Sequence, residues 1–210
     1  MQKILILGGS GFVGQHVCEK LNELPCRVTV VTRRRSNAKH LQMLPLVDIV
    51  EVDPHDSASL KPLLAGHDAA VNLIAILHGT EAEFEKAHVQ MPLDLARACE
   101  ASGLRRIVHV SALGASPDSA SMYQRSKARG EAALLGTGLD VTVLRPSVIF
   151  GAEDKFFNTF ARLQRMFPVI PLAGSQARFQ PVWVEDVAKA VVNCLQDRDT
   201  IGQIYEACGP

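Results

Sequence analysis

No apolar stretch in this chain of 210 residues reaches the roughly 18 residues that a membrane-spanning helix needs. The first residues run from Lys3 straight into a strand-like segment, with no cleavable leader pattern. The chain therefore reads as cytoplasmic. An excess of either charge is also missing, since 22 Lys and Arg balance 22 Asp and Glu. That excludes the basic footprint needed to neutralise a phosphate backbone, so nucleic acid is not an expected partner. Paired cysteine motifs are absent as well. Cys18, Cys26, Cys99, Cys194 and Cys208 are scattered and odd in number, which fits buried free thiols better than disulfides or a zinc site. His78, His88 and His109 lack ligand spacing with acidic or thiol partners, and no metal site is expected.

What is present is alternation. Short apolar, β-branched runs occur at Lys3 to Leu7, Arg27 to Thr32, Val47 to Val52, Ala69 to Ile74, Arg106 to Ser111 and Asp140 to Arg145. Most are apolar throughout, as strands covered on both faces should be. Helical stripes lie between them: Val13, Val17, Leu21 and Leu24 mark one, and another ends at Gly103. Repeated strand–helix–strand units predict an α/β fold, a Rossmann-like doubly wound parallel sheet with helices on both faces. The length predicts one dinucleotide-binding domain over 1–210, with 152–210 contributing part of a substrate-side lobe. In that part a helix through Met166 precedes a stretch broken by Pro168, Pro171 and Pro181. Phe156, Phe157, Phe160 and Met166 fall at helical spacing and are expected to pack. A late strand at Ile204 to Ala207 runs into Cys208-Gly209-Pro210, a turn signal that suggests further residues beyond Pro210.

The segment Leu7-Gly8-Gly9-Ser10-Gly11-Phe12-Val13-Gly14 follows the first strand and opens the first helix. Glycines at 8, 11 and 14 suit a tight turn, close approach to a pyrophosphate, and close helix–sheet packing. The helix start at Gly11 or Phe12 would aim its free N–H groups at the phosphates. Ser10, Phe12 and Val13 belong to the same cradle. At the end of the second strand, where an acid would meet ribose hydroxyls, stand Arg33, Arg34 and Arg35. Their forks suit a 2′-phosphate, which favours NADP(H) over NAD(H), although three arginines can equally face water. Asp53 closes the third strand, either near the adenine or as an ordinary turn. Leu73, Ile74 and Ala75 leave room for cofactor after the fourth strand.

Tyr123 and Lys127 lie four apart and so share a helix face. That predicts an ammonium that lowers the phenol pKa and a phenol that exchanges a proton while hydride moves. With only two tyrosines in the chain, an accidental match is less expected.

Together these motifs resemble the extended short-chain dehydrogenases/reductases of the NAD-dependent epimerase/dehydratase superfamily. The sequence looks closer still to the atypical branch that includes the 39 kDa accessory subunit of respiratory complex I and its bacterial homologues. That closer likeness is carried by Gly8 to Gly14, Ile107 to Ser111, Leu144 to Gly151, Glu153 to Phe156 and Val182 to Ala188. The resemblance implies pyrophosphate on Gly8, Gly11 and Gly14, and catalytic and ribose-binding roles for Tyr123 and Lys127. It also places Pro146 and Val148 near the nicotinamide. The serine that active members use aligns with Ala112, leaving Ser111 one residue earlier as the candidate, on the opposite side if the strand continues. His88 stands at the position of a helix asparagine, and Trp183 at that of a histidine.

Two functions follow. One is an NADP(H)-linked oxidoreductase or epimerase-like enzyme acting on a secondary alcohol or carbonyl, towards which the sequence leans. The other is a non-catalytic NADPH-binding accessory or assembly subunit. The resemblance further implies docking to a larger protein or membrane-associated complex, peripheral to an inner membrane.

Overall fold

The structure, a computed structural model, describes residues 1–154, 156–167 and 178–210. Seven parallel strands form one sheet in the order β3-β2-β1-β4-β5-β6-β9. They are β1 (Lys3–Leu7), β2 (Arg27–Thr32), β3 (Val47–Glu51), β4 (Ala69–Asn72), β5 (Arg106–Val110), β6 (Asp140–Pro146) and β9 (Ile204–Ala207). The short β7 (Ile149–Phe150) and β8 (Val182–Trp183) pair separately. The helices are α1 (Phe12–Asn22), α2 (Ser57–Leu64), α3 (Glu81–Glu85), α4 (Met91–Ser102), α5 (Met122–Leu135), α6 (Phe156–Met166) and α7 (Val184–Gln196).

Side-chain alternation along the strands generates the layers. Ile4 and Ile6 of β1 join a core with Val17 and Leu21 of α1 and Val187 and Val191 of α7. Leu5 and Leu7, between them, face the opposite core with Leu60 of α2, Leu95 of α4 and Leu134 of α5. The inner strands therefore bury both faces, which is why their sequences are mainly apolar, while the edge strands β3 and β9 stay partly or largely exposed. The order reverses between β1 and β4, and a crevice opens there at the carboxyl ends of the strands.

The expected strands all form, with Val52, Ile74 and Ser111 lying just past their ends. Gly103 ends α4 in the left-handed conformation at φ 80°. Two expectations change. The packing expected of Phe156, Phe157, Phe160 and Met166 is not seen: α6 has no buried residue, and Phe156 and Met166 are exposed. The rings of Phe157, Phe160 and Phe179 each meet that of Phe156 edge-on instead. Cys208 is exposed, while the other four thiols are buried, and burial pushes Cys18 and Cys99 up to about 12. Pro168 and Pro171 lie outside the described residues.

A π-helical turn, Lys86–Gln90, joins α3 to α4. One extra residue per turn swells the helix locally and brings its His88 carbonyl against α5 at Gly130, where an added Cβ would overlap that oxygen. Glycine is required at position 130 by this contact. Replacing Gly130 with alanine is expected to destabilise the fold by about 2 kcal/mol or more, a fall of roughly 5 °C in Tm. Thermal unfolding followed by circular dichroism checks this.

Candidate functional site

The crevice begins at the turn after β1. Gly8 has φ 80°, and its carbonyl accepts from the Gly11 amide at 3.0 Å. The first turn of α1 rests directly on this loop, because a Cβ on Gly14 would overlap the Gly8 carbonyl and the Gly9 backbone. A Cβ on Gly8 would press on the Leu73–Ile74 backbone after β4. Gly11 caps α1 with no side-chain hydrogen bond, and no acid occupies the first turn. The N–H groups at the start of α1 are thus offered without a competing carboxylate, which is what an anionic group needs. A dinucleotide pyrophosphate fits this cradle. Ser10, Phe12 and Val13 are half-buried around it, as are Leu73 and Ile74, while Ala75 is exposed.

Other expected contacts are placed less simply. Pro146 is buried at the end of β6, and Val148 follows it, its carbonyl accepting from Val182 N at 3.0 Å. The Asp53 carboxylate accepts from the His55 amide at 3.0 Å, so it closes its own turn. Arg33 and Arg34 are exposed. Opposite them, Glu51 of β3 pairs in register with Thr32 and accepts from the Arg35 amide at 2.7 Å.

At the far side of the crevice, Tyr123 and Lys127 do share a face of α5, but the predicted electrostatics are corrected. The Lys127 ammonium donates to the Val110 carbonyl at 2.9 Å. Full burial lowers Lys127 to about 8, opposed by nearby Glu131. Burial likewise raises the Tyr123 phenol instead of lowering it. Desolvation is the cause of the Tyr123 shift. Ser111 is buried and its Oγ has no hydrogen-bond partner, so it does not bond the phenol. Ala112 is half-buried beside it.

His88, which the sequence marks as a departure from an asparagine and as lacking metal-ligand spacing, forms a network that the sequence does not reveal. Its Nε2 accepts from the Ile76 amide at 3.1 Å, which makes Nδ1 the donor to Ser126 Oγ at 2.8 Å. Ser126 in turn donates to the Tyr123 carbonyl at 2.8 Å. The His88 ring stands edge-on to Tyr123 at 5.4 Å. One histidine therefore joins the loop after β4 to the turn that carries the tyrosine. His109 in β5 is paired with Asn72 of β4 at 3.1 Å. Burial and nearby Lys127 lower His88 to about 4 and hold His109 well below its usual range. Elsewhere, Glu185 of α7 pairs with Lys20 at 2.6 Å and with His16 at 2.5 Å, tying α7 to α1. With Glu19, His16 and Glu185 form a group that could hold a metal ion, a grouping the sequence reading did not foresee.

The comparisons with known proteins agree with this fold. The family model described as NAD dependent epimerase/dehydratase family matches residues 4–208. The mouse protein named NADH dehydrogenase [ubiquinone] 1 alpha subcomplex subunit 9, mitochondrial, is 34% identical over 212 residues, covering 98% of this chain and 56% of its own length. Its namesake from Arabidopsis thaliana is 34% identical over 214 residues, covering 98% of this chain and 53% of its own. The chain thus spans little more than half the length of these relatives. A dTDP-glucose 4,6-dehydratase double mutant from Streptomyces venezuelae, solved with NAD bound, superposes with a TM-score of 0.85 at 26% identity, over 99% of this chain and 76% of that one.

Two expectations are overturned. The preference for NADP(H) drawn from Arg33 and Arg34 gives way to NAD(H), because the Streptomyces dehydratase was solved with NAD in both of its structures. The physical reason is Glu51: the neighbouring strand supplies the carboxylate that β2 lacks, so the arginine turn is not free of negative charge. The cytoplasmic reading falls because the mouse and Arabidopsis relatives are mitochondrial proteins. No described helix is long and apolar enough to cross a membrane.

A histidine buried neutral makes stability depend on pH. The folded pKa of His88 lies below the unfolded value near 6.5, so the unfolded chain binds more protons between these values. Stability is full above about pH 6.5 and falls as pH drops towards 4. Urea midpoints are expected to decline from pH 7 to pH 5, and His88→Asn is expected to flatten that decline in part, because burial also lowers His109, His67 and His55. An unchanged slope in the variant would contradict the assignment.

Proposed function

The chain belongs to the NAD dependent epimerase/dehydratase family, and from that premise we propose that it is an NAD(H)-binding accessory protein that docks in a larger assembly and turns over little or no substrate. One observation carries this reading: the Ser111 hydroxyl is buried without a partner and does not bond Tyr123, while Ala112 stands at the usual serine position. A hydroxyl placed to polarise a carbonyl supplies much of the transition-state stabilisation in such chemistry. Without it, binding survives and turnover does not. The assembly part rests on the mouse and Arabidopsis relatives, which are named as subunits.

In this reading the whole of 1–210 serves as one dinucleotide-binding unit, and 152–210 forms part of a wall over the crevice. Gly8, Gly11 and Gly14 admit the pyrophosphate, and the amides of Phe12 and Val13 hold it. Leu73, Ile74 and Ala75 flank it where Gly8 meets the loop after β4. Tyr123 and Lys127, with Pro146 and Val148, face the nicotinamide half. A bound nicotinamide would supply a site that gives or takes hydride. Lys127 donates one of its three N–H groups to Val110, which ties this end of β5 to α5.

A ligand that binds only the folded state stabilises it whether or not it reacts, by roughly 2.7 kcal/mol at a hundred times its Kd. Saturating NADH is therefore expected to raise Tm by roughly 5–10 °C. Gly11→Asp separates binding from folding. Aspartate is a good helix cap, φ at this position is −87°, and an added Cβ would meet only the Gly8 carbonyl at 3.3 Å. The same carboxylate would repel a phosphate, by about 2 kcal/mol or a factor of roughly 30. NADH fluorescence titration should show saturable binding that Gly11→Asp weakens to that extent, with its own Tm retained. Assays of NADH oxidation against a carbonyl panel should stay at background, and turnover at rates typical of the enzymes, about 1 per second or more, would overturn the proposal.

A further inference from the structure

Where α7 packs against α1, three side chains bring one ligand atom each to a common point. His16 and Glu19 stand one turn apart on α1, and Glu185 comes from the first turn of α7. Their His16 Nδ1, Glu19 Oε2 and Glu185 Oε1 atoms converge, the imidazole nitrogen lying 3.6 Å from the first oxygen and 2.5 Å from the second. A tetrahedral zinc ion with bonds near 2.0 Å sets its ligand atoms roughly 3.3 Å apart. The first separation is already close to that, and the second has to open by roughly 0.8 Å.

Each of the three side chains is held at its other end by a residue outside the group. His16 Nε2 faces Glu153 Oε2 at 3.4 Å, Gln15 Nε2 donates to Glu19 Oε1 at 2.9 Å, and the Lys20 ammonium donates to Glu185 Oε2 at 2.6 Å. The atoms left over are the three that converge. A carboxylate on one imidazole nitrogen keeps the proton there and leaves the lone pair of the other for a metal. The Phe12 ring stands edge-on to His16 at 5.8 Å and steadies the imidazole plane. The backbone beneath is rigid as well, since Val17 and Leu21 of α1 share a buried core with Val187 and Val191 of α7. Charge favours a cation too: the carboxylates of Glu19, Glu153 and Glu185 gather around the imidazole with Lys20 as their ammonium partner, which leaves negative charge in surplus.

We propose that His16, Glu19 and Glu185 bind a divalent transition-metal ion of the zinc type, with Glu153 orienting the imidazole and water completing the coordination. The nitrogen donor selects against Mg²⁺, which takes oxygen ligands. Bound there, the ion clips together α1, α7 and the turn after β7 that carries Glu153. The site owes nothing to the dinucleotide reading, and its test needs no NADH.

Titration of Zn²⁺ into the EDTA-dialysed full chain, in competition with a chromophoric chelator and with Tm followed in parallel, tests this. One equivalent is expected to bind and to raise Tm, and a large excess of Mg²⁺ should not displace it. His16→Gln should abolish both the uptake and the rise. Glu153→Gln, which leaves all three ligands in place, should weaken uptake roughly tenfold. Cys208→Ser, which removes the exposed thiol, should leave uptake unchanged. An ion-pair network alone predicts otherwise: His16→Gln would lower Tm equally with and without zinc, and the native chain would take up no equivalent. Uptake that is absent from the native chain, survives His16→Gln or vanishes with Cys208→Ser overturns the proposal, and undiminished uptake by Glu153→Gln overturns the part assigned to Glu153.

Discussion

The close packing of α1 onto the turn after β1 is the contact on which the rest of the site depends. A single methyl group at Gly14 would overlap the Gly8 carbonyl and push the helix away. With hydrogen there, the start of α1 sits over the carboxyl end of the sheet, and its open N–H groups point into the crevice where the strand order reverses. The same device recurs at Gly130, where α5 comes against the His88 carbonyl. Two backbone contacts that only glycine permits thus set the two ends of the crevice, one for the phosphates and one for Tyr123.

At the second end, burial governs the chemistry. Lys127, His88 and His109 are all basic, and all lie at 1% exposure or are fully buried. In such surroundings the charged form is penalised, and each side chain is held by a neutral partner: Val110, Ile76 with Ser126, and Asn72. The pattern builds a rigid platform under Tyr123. In it the Tyr123 phenol is raised by burial and the Ser111 hydroxyl has no partner. A fold shared with NAD-linked enzymes is compatible with a protein that keeps the binding half of the machinery and has lost the reactive half.

The sheet was legible because strands buried on both faces are mainly apolar, as β1 and β4 are, and even the edge strand β3, with its exposed Asp48 and Glu51, keeps an apolar centre. The glycine turn was legible because its spacing is itself the geometric requirement. Side-chain destinations were not. The four-residue spacing of Tyr123 and Lys127 fixed a common helix face, yet nothing in it shows that the ammonium would turn to Val110. The link from His88 to Ser126 spans 38 positions and depends on a π-helical turn with no sequence signature. Glu51 reaches the arginine turn only through the pairing of β2 with β3. Helical spacing in α6 was equally clear, but periodicity names the apolar face and is silent on whether anything covers it.

The most direct test of the central claim is to denature the purified protein and identify the small molecules it releases by mass spectrometry. The account predicts recovery of NAD or NADH in near-stoichiometric amount, held by the cradle after β1 through purification. Release of no nicotinamide dinucleotide, from protein that also fails to take one up when it is supplied, would contradict it.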